Sequence, residues 1–427
     1  MNKLYTIFKE SSGVVTDTRK ITKNCLFICL KGEKFDGNSF ANEAVKLGAF
    51  KVIIDNPEYA IEGKTILVEN CLLTLQRLAN HHRKQFSIPI IGITGSNGKT
   101  TSKELISTVL HTQFKVHYTQ GNLNNHIGVP LTLLQLTTEH EIAVIEMGAN
   151  KPGDIKELVE IALPTHGIIT NVGRAHLEGF KSLDGVIQTK TELYRFLSEN
   201  NGHIFVNRQD EILTQRIPPN TKYHYYNDEA ELSGELIALT PYVKMRWFEK
   251  EFTSNIIETH LIGEYNYLNF LAAIRIGRYF GITEQNCSQA IENYIPTNNR
   301  SQVSKTKKNT LILDCYNANP TSMASALSSF SKIDHPLKIF ILGDMLEMGQ
   351  ESELVHEEII QQTIDLKLSG FFIGTEFLKH KGKHPSAHFF SSIEVLIDIF
   401  KKETPQDLLI LLKGSRGIAI DKVIPYL

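Results

Sequence analysis

Ile90-Ile91-Gly92-Ile93-Thr94-Gly95-Ser96-Asn97-Gly98-Lys99-Thr100-Thr101 decides the fold. An apolar strand runs into a glycine turn, and Lys-Thr-Thr then opens a helix. Such a turn gathers backbone N–H groups into one concavity at the positive end of a helix dipole, where phosphate binds. Lys99 is placed to reach the β- and γ-phosphates, and the Thr100 hydroxyl to sit on magnesium. The long form of this motif has a glycine five residues before Gly98, but that position is Ile93. The first loop glycine is Gly95, so the turn is a shorter variant. Gly95, Ser96, Asn97, Gly98, Lys99, Thr100 and Thr101 are therefore the expected nucleotide-binding residues, with ATP and Mg²⁺ as ligands.

Working outward, strand patterns at 90–94, 142–147, 167–171 and 203–206 alternate with helical patterns at 99–111, 154–162 and 184–199. This alternation predicts a mostly parallel sheet with helices on both faces. The stretch 221–257 is rich in Tyr, Phe, Thr and Val and reads as antiparallel strands. A helix over about 265–280 follows, ended by Gly281. Ser87-Ile88-Pro89 reads as a hinge to a smaller α/β unit, with strands at 26–30 and 52–54 and helices at 39–48 and 71–86. Beyond residue 298, apolar runs at 310–313, 338–342, 371–373 and 408–412 predict a third, Rossmann-like α/β unit. It has no Gly-x-Gly-x-x-Gly after a strand, which argues against a dinucleotide. A length of 427 residues suits three domains, 1–87, 88–297 and 298–427, each large enough for its own core.

Composition narrows the partners. Charged residues are 22% and the net charge is −2, so nucleic acid is not an expected ligand. A mean hydropathy of −0.16 and the lack of a long uncharged apolar run predict no membrane span. Met1-Asn2-Lys3-Leu4-Tyr5-Thr6 has no apolar signal core. The five cysteines are scattered, and no second Cys or His pair joins Cys25 and Cys29 in a zinc pattern. Buried, reduced thiols and a cytoplasmic location are expected.

Glu146 ends the strand over 142–147. Ligands of parallel sheets bind at the carboxyl ends of strands, which puts this carboxylate beside the phosphate loop as a magnesium ligand. His176 follows the strand over 167–171 and reaches the same edge. Lys190, by spacing alone, is a solvent-facing helix lysine. The loop containing Asn122, Asn124, Asn125 and Gly128 either binds a polar, uncharged ligand or caps helices. In the third unit, Asp314, Asp344 and Lys413 with Arg416 end three strands on one edge, where a second substrate would bind.

These residues together resemble the Mur ligases, in the branch that adds D-alanyl-D-alanine to a UDP-muramoyl tripeptide. The similarity covers nearly the whole chain. Besides the phosphate loop it rests on Gly121-Asn122-Leu123-Asn124-Asn125-His126-Ile127-Gly128-Val129-Pro130, Glu146-Met147-Gly148-Ala149-Asn150 and Asn171-Val172-Gly173-Arg174-Ala175-His176-Leu177-Glu178. Asp314-Cys315-Tyr316-Asn317-Ala318-Asn319-Pro320 and Leu342-Gly343-Asp344-Met345, with Glu347, Gly349 and His356, belong to it too. The resemblance implies that Thr18, Arg19, Phe35 and Asp36 hold the UDP end of the substrate. It implies Lys99, His176 and Lys190 as catalytic residues, with Thr100 and Glu146 on one magnesium and His176 and a carbamylated Lys190 on a second. Asn266 and Asn269 look like the adenine-side asparagines, Arg300 like an arginine on the nucleotide, and Asp314 like the ribose ligand. Asn124, Asn125, Asn317, Asn319 and Asp344 are the remaining substrate contacts implied. The chain differs from the usual family pattern at Thr191, Tyr265 and Asn299. The implied activity is ATP-dependent peptide-bond formation through an acyl phosphate, by a monomer. A related ligase adding a single amino acid to a muramoyl peptide or glutamate to folate, and a phosphate-loop kinase or ATPase that forms no peptide bond, are the alternatives.

Overall fold

The computed structural model describes residues 1–240 and 242–427. The strand Ile90–Thr94 lies inside a six-stranded, wholly parallel sheet. From one edge the order is Lys222–Tyr226, His203–Asn207, His166–Ile169, Ile90–Thr94, Ile142–Glu146, Val116–Tyr118. All residues of Ile90–Thr94 and Ile142–Glu146 are buried, as a parallel sheet covered on both sides requires. Ile91 and Ile93 pack on one face with Leu105 and Ile106 of the helix Lys99–His111 and Phe270 of the helix Asn266–Tyr279. Ile90 and Ile145 belong to the other face, with Ile155 and Leu158 of the helix Asp154–Ala162. After Ile142–Glu146 the chain crosses to the far side of Ile90–Thr94. The order thus reverses at the phosphate loop, the position where open α/β sheets form ligand crevices.

Three local expectations change. Val116–Tyr118 is an additional strand, too short to leave a periodic signal. Lys222–Tyr226 extends the parallel sheet, and the antiparallel layer begins only at Ser233–Ala238. The helix expected over 184–199 is two helices, Leu183–Lys190 and Glu192–Glu199. Between them, the Thr191 hydroxyl donates to the Ile187 carbonyl at 2.8 Å.

In the first unit, Val14–Val15, Leu26–Ile28, Lys51–Ile54 and Thr65–Leu67 form a small parallel sheet, with Lys31–Gly32 and Phe35–Asp36 a separate hairpin. Its helix Cys71–Arg83 packs on Gly128–Leu133 and Asp154–Ala162. Leu75 and Leu78 therefore share one continuous apolar core with Val129 and Leu158, joining this unit to the central one. The seam at 87–89 is not a free hinge either. Arg83 is buried there and donates to the carbonyls of Ala162 at 3.1 Å and Phe86 at 2.5 Å.

The third sheet runs Gln302–Lys305, Thr310–Asp314, Leu409–Lys413, Lys338–Gly343, Ser369–Ile373, Ala387–Phe390, and only the first strand is antiparallel. All five cysteines are free and buried. Among the described residues no helix is long and apolar enough to cross a membrane.

Candidate active site

The phosphate loop is braced by the segment after the neighbouring strand. The Asn171 carbonyl accepts from Ser96 N–H and its side-chain oxygen from Asn97 N–H, both at 3.0 Å. The Thr170 hydroxyl donates to the Asn97 carbonyl at 2.6 Å. Gly98, at φ 79°, ends the turn where a Cβ would lie 2.9 Å from Asn269 Oδ1, so only glycine fits between loop and helix. Lys99 Nζ donates back to the carbonyls of Gly95 at 2.7 Å and Ser96 at 3.3 Å. Burial holds this ammonium below the ordinary lysine range, and Glu146 opposes that shift.

Glu146 is 1% exposed. One carboxylate oxygen accepts from Asn124 Nδ2 at 2.7 Å and from the Thr100 hydroxyl at 3.2 Å. The other is buried with no partner. An orphaned carboxylate oxygen beside a threonine hydroxyl, at the mouth of a phosphate loop, fits a hard cation such as magnesium.

Lys190 is 1% exposed, which overturns the solvent-facing reading from spacing. The break at Thr191 ends its helix, and Nζ lies 5.7 Å from the centre of the Phe180 ring. Among the described residues no carboxylate lies within ion-pairing distance. Burial first, and the charge of Lys99 second, push its pKa well below the usual lysine value. His176, in a left-handed backbone conformation at φ 51°, hydrogen-bonds through Nδ1 to Glu347 of the third unit.

One cleft of about 800 Å³ takes in Ser96 to Thr101, Asn124, Asn125, Glu146 and His176. Asn266, Asn269, Arg300, Asp314, Asn317 and Asn319 line it from the other side. Asn269 accepts from Ser102 at 3.0 Å and donates to Asn266 at 2.9 Å. Asp314 pairs with Lys413 at 2.6 Å, across neighbouring parallel strands. Arg300 stacks on Tyr316, with its guanidinium carbon 3.7 Å from the ring centre. Asn319 caps the helix Pro320–Ser331 and donates to Asn97 at 2.8 Å, joining the third unit to the phosphate loop. Asn125 caps as well, accepting from the N–H of Gly128 at 2.9 Å, whereas Asn124 turns to Glu146.

Asp344 does not join this cleft. It is 2% exposed, and its two oxygens accept from the N–H groups of Glu376 and Phe377 at 2.9 Å, capping the short helix Thr375–Leu378. The strand-end position was legible in sequence, but not the helix that consumes the carboxylate. Thr18, Arg19, Phe35 and Asp36 lie on the first unit, outside the cleft. Arg19 is occupied by Asp17 at 2.7 Å, and Asp36 accepts from Asn38 Nδ2 at 2.6 Å. Tyr316 and Lys413, both already singled out in the sequence, line the cleft, and Glu347 meets it through His176. Lys413 stands at the strand-end edge as expected, a cation closing a strand next to one ending in Asp314.

Three family models account for this architecture in sequence: the Mur ligase family, catalytic domain, over 10–83; the Mur ligase middle domain over 93–277; and the Mur ligase, glutamate ligase domain, over 299–416. The chain is also 35% identical over 424 residues to the UDP-N-acetylmuramoyl-tripeptide--D-alanyl-D-alanine ligase of Bacillus subtilis, covering 96% of this chain and 92% of that one. The chain belongs to the Mur ligase family. Solved Mur ligases agree with its fold. MurF from Acinetobacter baumannii superposes with a TM-score of 0.87 at 26% identity, covering 99% of this chain and 97% of that one. MurF from Thermotoga maritima, solved in complex with ADP, gives 0.85 at 25% identity, covering 97% and 96%.

Proposed function

We propose that this Mur ligase joins D-alanyl-D-alanine to the terminal carboxylate of a UDP-N-acetylmuramoyl tripeptide, using ATP, as a cytoplasmic monomer in peptidoglycan synthesis. The observation that carries the reading is the single cleft to which the phosphate loop and the strand ends of the third unit both contribute. A triphosphate and an incoming amine meet in one chamber. The B. subtilis relative, similar along the full chain, supports the choice of substrates.

The division of labour follows. Residues 1–87 hold the UDP end through Thr18, Arg19, Phe35 and Asp36. Residues 88–297 hold ATP, and 298–427 supply nucleotide contacts and the dipeptide site at Asn317 and Asn319. Asn266 and Asn269 face the adenine side, Arg300 the phosphates and Asp314 the ribose. The tripeptide carboxylate attacks the γ-phosphorus, forming an acyl phosphate as ADP leaves. The dipeptide amine then attacks that carbonyl, and phosphate is released.

The side chains position these groups and neutralise charge, as in phosphoryl transfer generally. Thr100 and Glu146 would hold one magnesium, and His176 with a carbamylated Lys190 a second. Bound there, the cations offset the repulsion between carboxylate and triphosphate. Lys190 suits carbamylation because burial disfavours its ammonium form and so favours the amine that adds to CO₂. Its nitrogen adds to CO₂ with loss of one proton, giving an anionic ligand. Asp344, whose carboxylate accepts from the N–H groups of Glu376 and Phe377, is not used as a dipeptide contact.

The test is phosphate release from purified protein given ATP, the UDP-muramoyl tripeptide and D-Ala-D-Ala, with the product read by mass spectrometry. Release only with all three, and a product heavier by one dehydrated dipeptide, is expected. Turnover without D-Ala-D-Ala would favour an ATPase or kinase, and product with a single amino acid a different Mur ligase.

A further inference from the structure

Glu347 and Gly349 stand out in the sequence but have no part in the reaction described so far. Both lie where the third unit meets the loop carrying His176. The contact is closely fitted. The Glu178 N–H donates to the Glu347 carbonyl at 3.2 Å. Glu347 is held at φ 64° and His176 at φ 51°, two non-glycine residues in the left-handed region facing each other. Such conformations persist only where surrounding contacts fix them. Gly349, at φ 57°, sits where a Cβ would come 3.3 Å from Glu178 Cα. At the rim Arg174 lies 3.3 Å from Glu358 and 4.0 Å from Glu351.

Within this contact the Glu347 carboxylate meets His176 Nδ1. A carboxylate only accepts, so it selects the imidazole tautomer with the proton on Nδ1. His176 also lines the cleft. With Nδ1 engaged, Nε2 is the only ring nitrogen left to present a lone pair there. Free histidine in water prefers the opposite tautomer, so the acceptor has work to do.

We propose that Glu347 is a positioning residue: reaching from the third unit, it fixes the tautomer and orientation of His176, so that the central site is complete only while the third unit is docked. Arg174 with Glu358 is then a rim contact that aids docking without touching the ring. Its side chains are 43% and 42% exposed, and exposed pairs of this kind contribute little. The inference rests on the proposed role of His176, but its first readout is independent of ligation.

That readout is the ¹⁵N spectrum of the histidine ring in the full chain, magnesium-free. It is recorded about two pH units above the ordinary histidine pKa of ~6.5 and assigned with His176→Asn. The expected wild-type signal is Nδ1–H with Nε2 unprotonated. In Glu347→Ala the ring shifts toward Nε2–H. In Glu347→Gln, whose amide oxygen still accepts, the wild-type tautomer returns. Arg174→Ala leaves it unchanged. With substrates, Glu347→Ala should lower kcat by about 10- to 100-fold, the usual cost of removing an orienting partner of a ligating histidine. The KM for D-Ala-D-Ala should stay within about twofold, and Glu347→Gln should recover most of the loss. An Nε2–H tautomer in the wild type, or no change in a folded Glu347→Ala, overturns the proposal. If the tautomers behave as described while the wild type forms no peptide bond, the proposed function fails and this inference stands.

Discussion

Replacing Lys99 by methionine removes one charge while keeping most of the side chain's length. In the structure Nζ spends its hydrogen bonds on the carbonyls of Gly95 and Ser96, at 2.7 and 3.3 Å, within the loop proposed to hold the phosphates. Beside a bound triphosphate the ammonium would face negative charge at close range. One unit-charge contact at ~4 Å and an effective dielectric of ~20 amounts to about 4 kcal/mol. At 1.36 kcal/mol per decade, kcat/KM should fall by about 10³-fold. Stability should behave differently. Burial already disfavours the Lys99 ammonium, so removing it relieves a cost, and Tm should hold or rise. The assay is phosphate release with all three substrates, beside a thermal melt. A well-folded Lys99→Met losing less than about 10-fold in kcat/KM would refute the electrostatic argument. An equal loss of stability and activity would make Lys99 a structural residue.

Four further outcomes are expected. The native Lys190 amine loses its proton well below the ~10.4 of an unfolded lysine, so between these values the unfolded state binds more protons and stability rises with pH; urea midpoints in CO₂-free buffer should show that rise, and Lys190→Met should remove it. Burial holds His166 down to about 3, against ~6.5 unfolded, so stability is lost as pH falls from about 6.5 toward 3, by about 2 kcal/mol at pH ~5; His166→Gln should flatten this acid slope, and identical slopes would contradict it. Lys413→Met leaves Asp314 unpaired at a site where Lys413 is 2% exposed, which should cost about 3 kcal/mol in the unfolding of the third unit; a change under about 1 kcal/mol in urea denaturation would argue against a strong pair. Fluorescence pairs spanning the first and central units should keep their distance when ATP binds, while pairs spanning the central and third units change, and the reverse result would contradict the assignment of the moving part.

What the sequence carried was the chemistry next to strand ends. The phosphate loop, Glu146 and Asp314 could be placed because a parallel sheet directs such residues to one edge. The same rule misled for Asp344, because its fate depends on Thr375–Leu378, a helix of one turn with no periodic signal. Lys190 escaped for a related reason. Periodicity sees one continuous helix over 184–199, and the break at Thr191 depends on a side-chain hydrogen bond. The sequence could not show that the first unit's core continues into the central one, because patterns report elements, not which of their faces meet. Only the packing of Leu75 and Leu78 against Val129 and Leu158 reveals a shared core.

That shared core bears on which part of the enzyme can move. Parting the first unit from the central one would expose Leu75, Leu78, Val129 and Leu158 and strip buried Arg83 of the Ala162 and Leu163 carbonyls. Each buried leucine or valine side chain represents about 1.5–3 kcal/mol, so separation there is costly. The third unit keeps its own apolar clusters, with Ile262 the buried contribution from the central region. Tyr242 packs against that cluster too, and the hydrogen bonds and ion pairs across the seam include Asn97 with Asn319, Arg174 with Glu358, Lys332 with Glu264 and His176 with Glu347. Water can replace most of these hydrogen bonds at small net cost, so this interface can open and re-form. An acyl phosphate needs such an arrangement, because the chamber must admit substrates and then exclude water. On the proposed function, the apolar joint would keep the long substrate in register with the phosphate loop while the third unit opens and closes at its own seam.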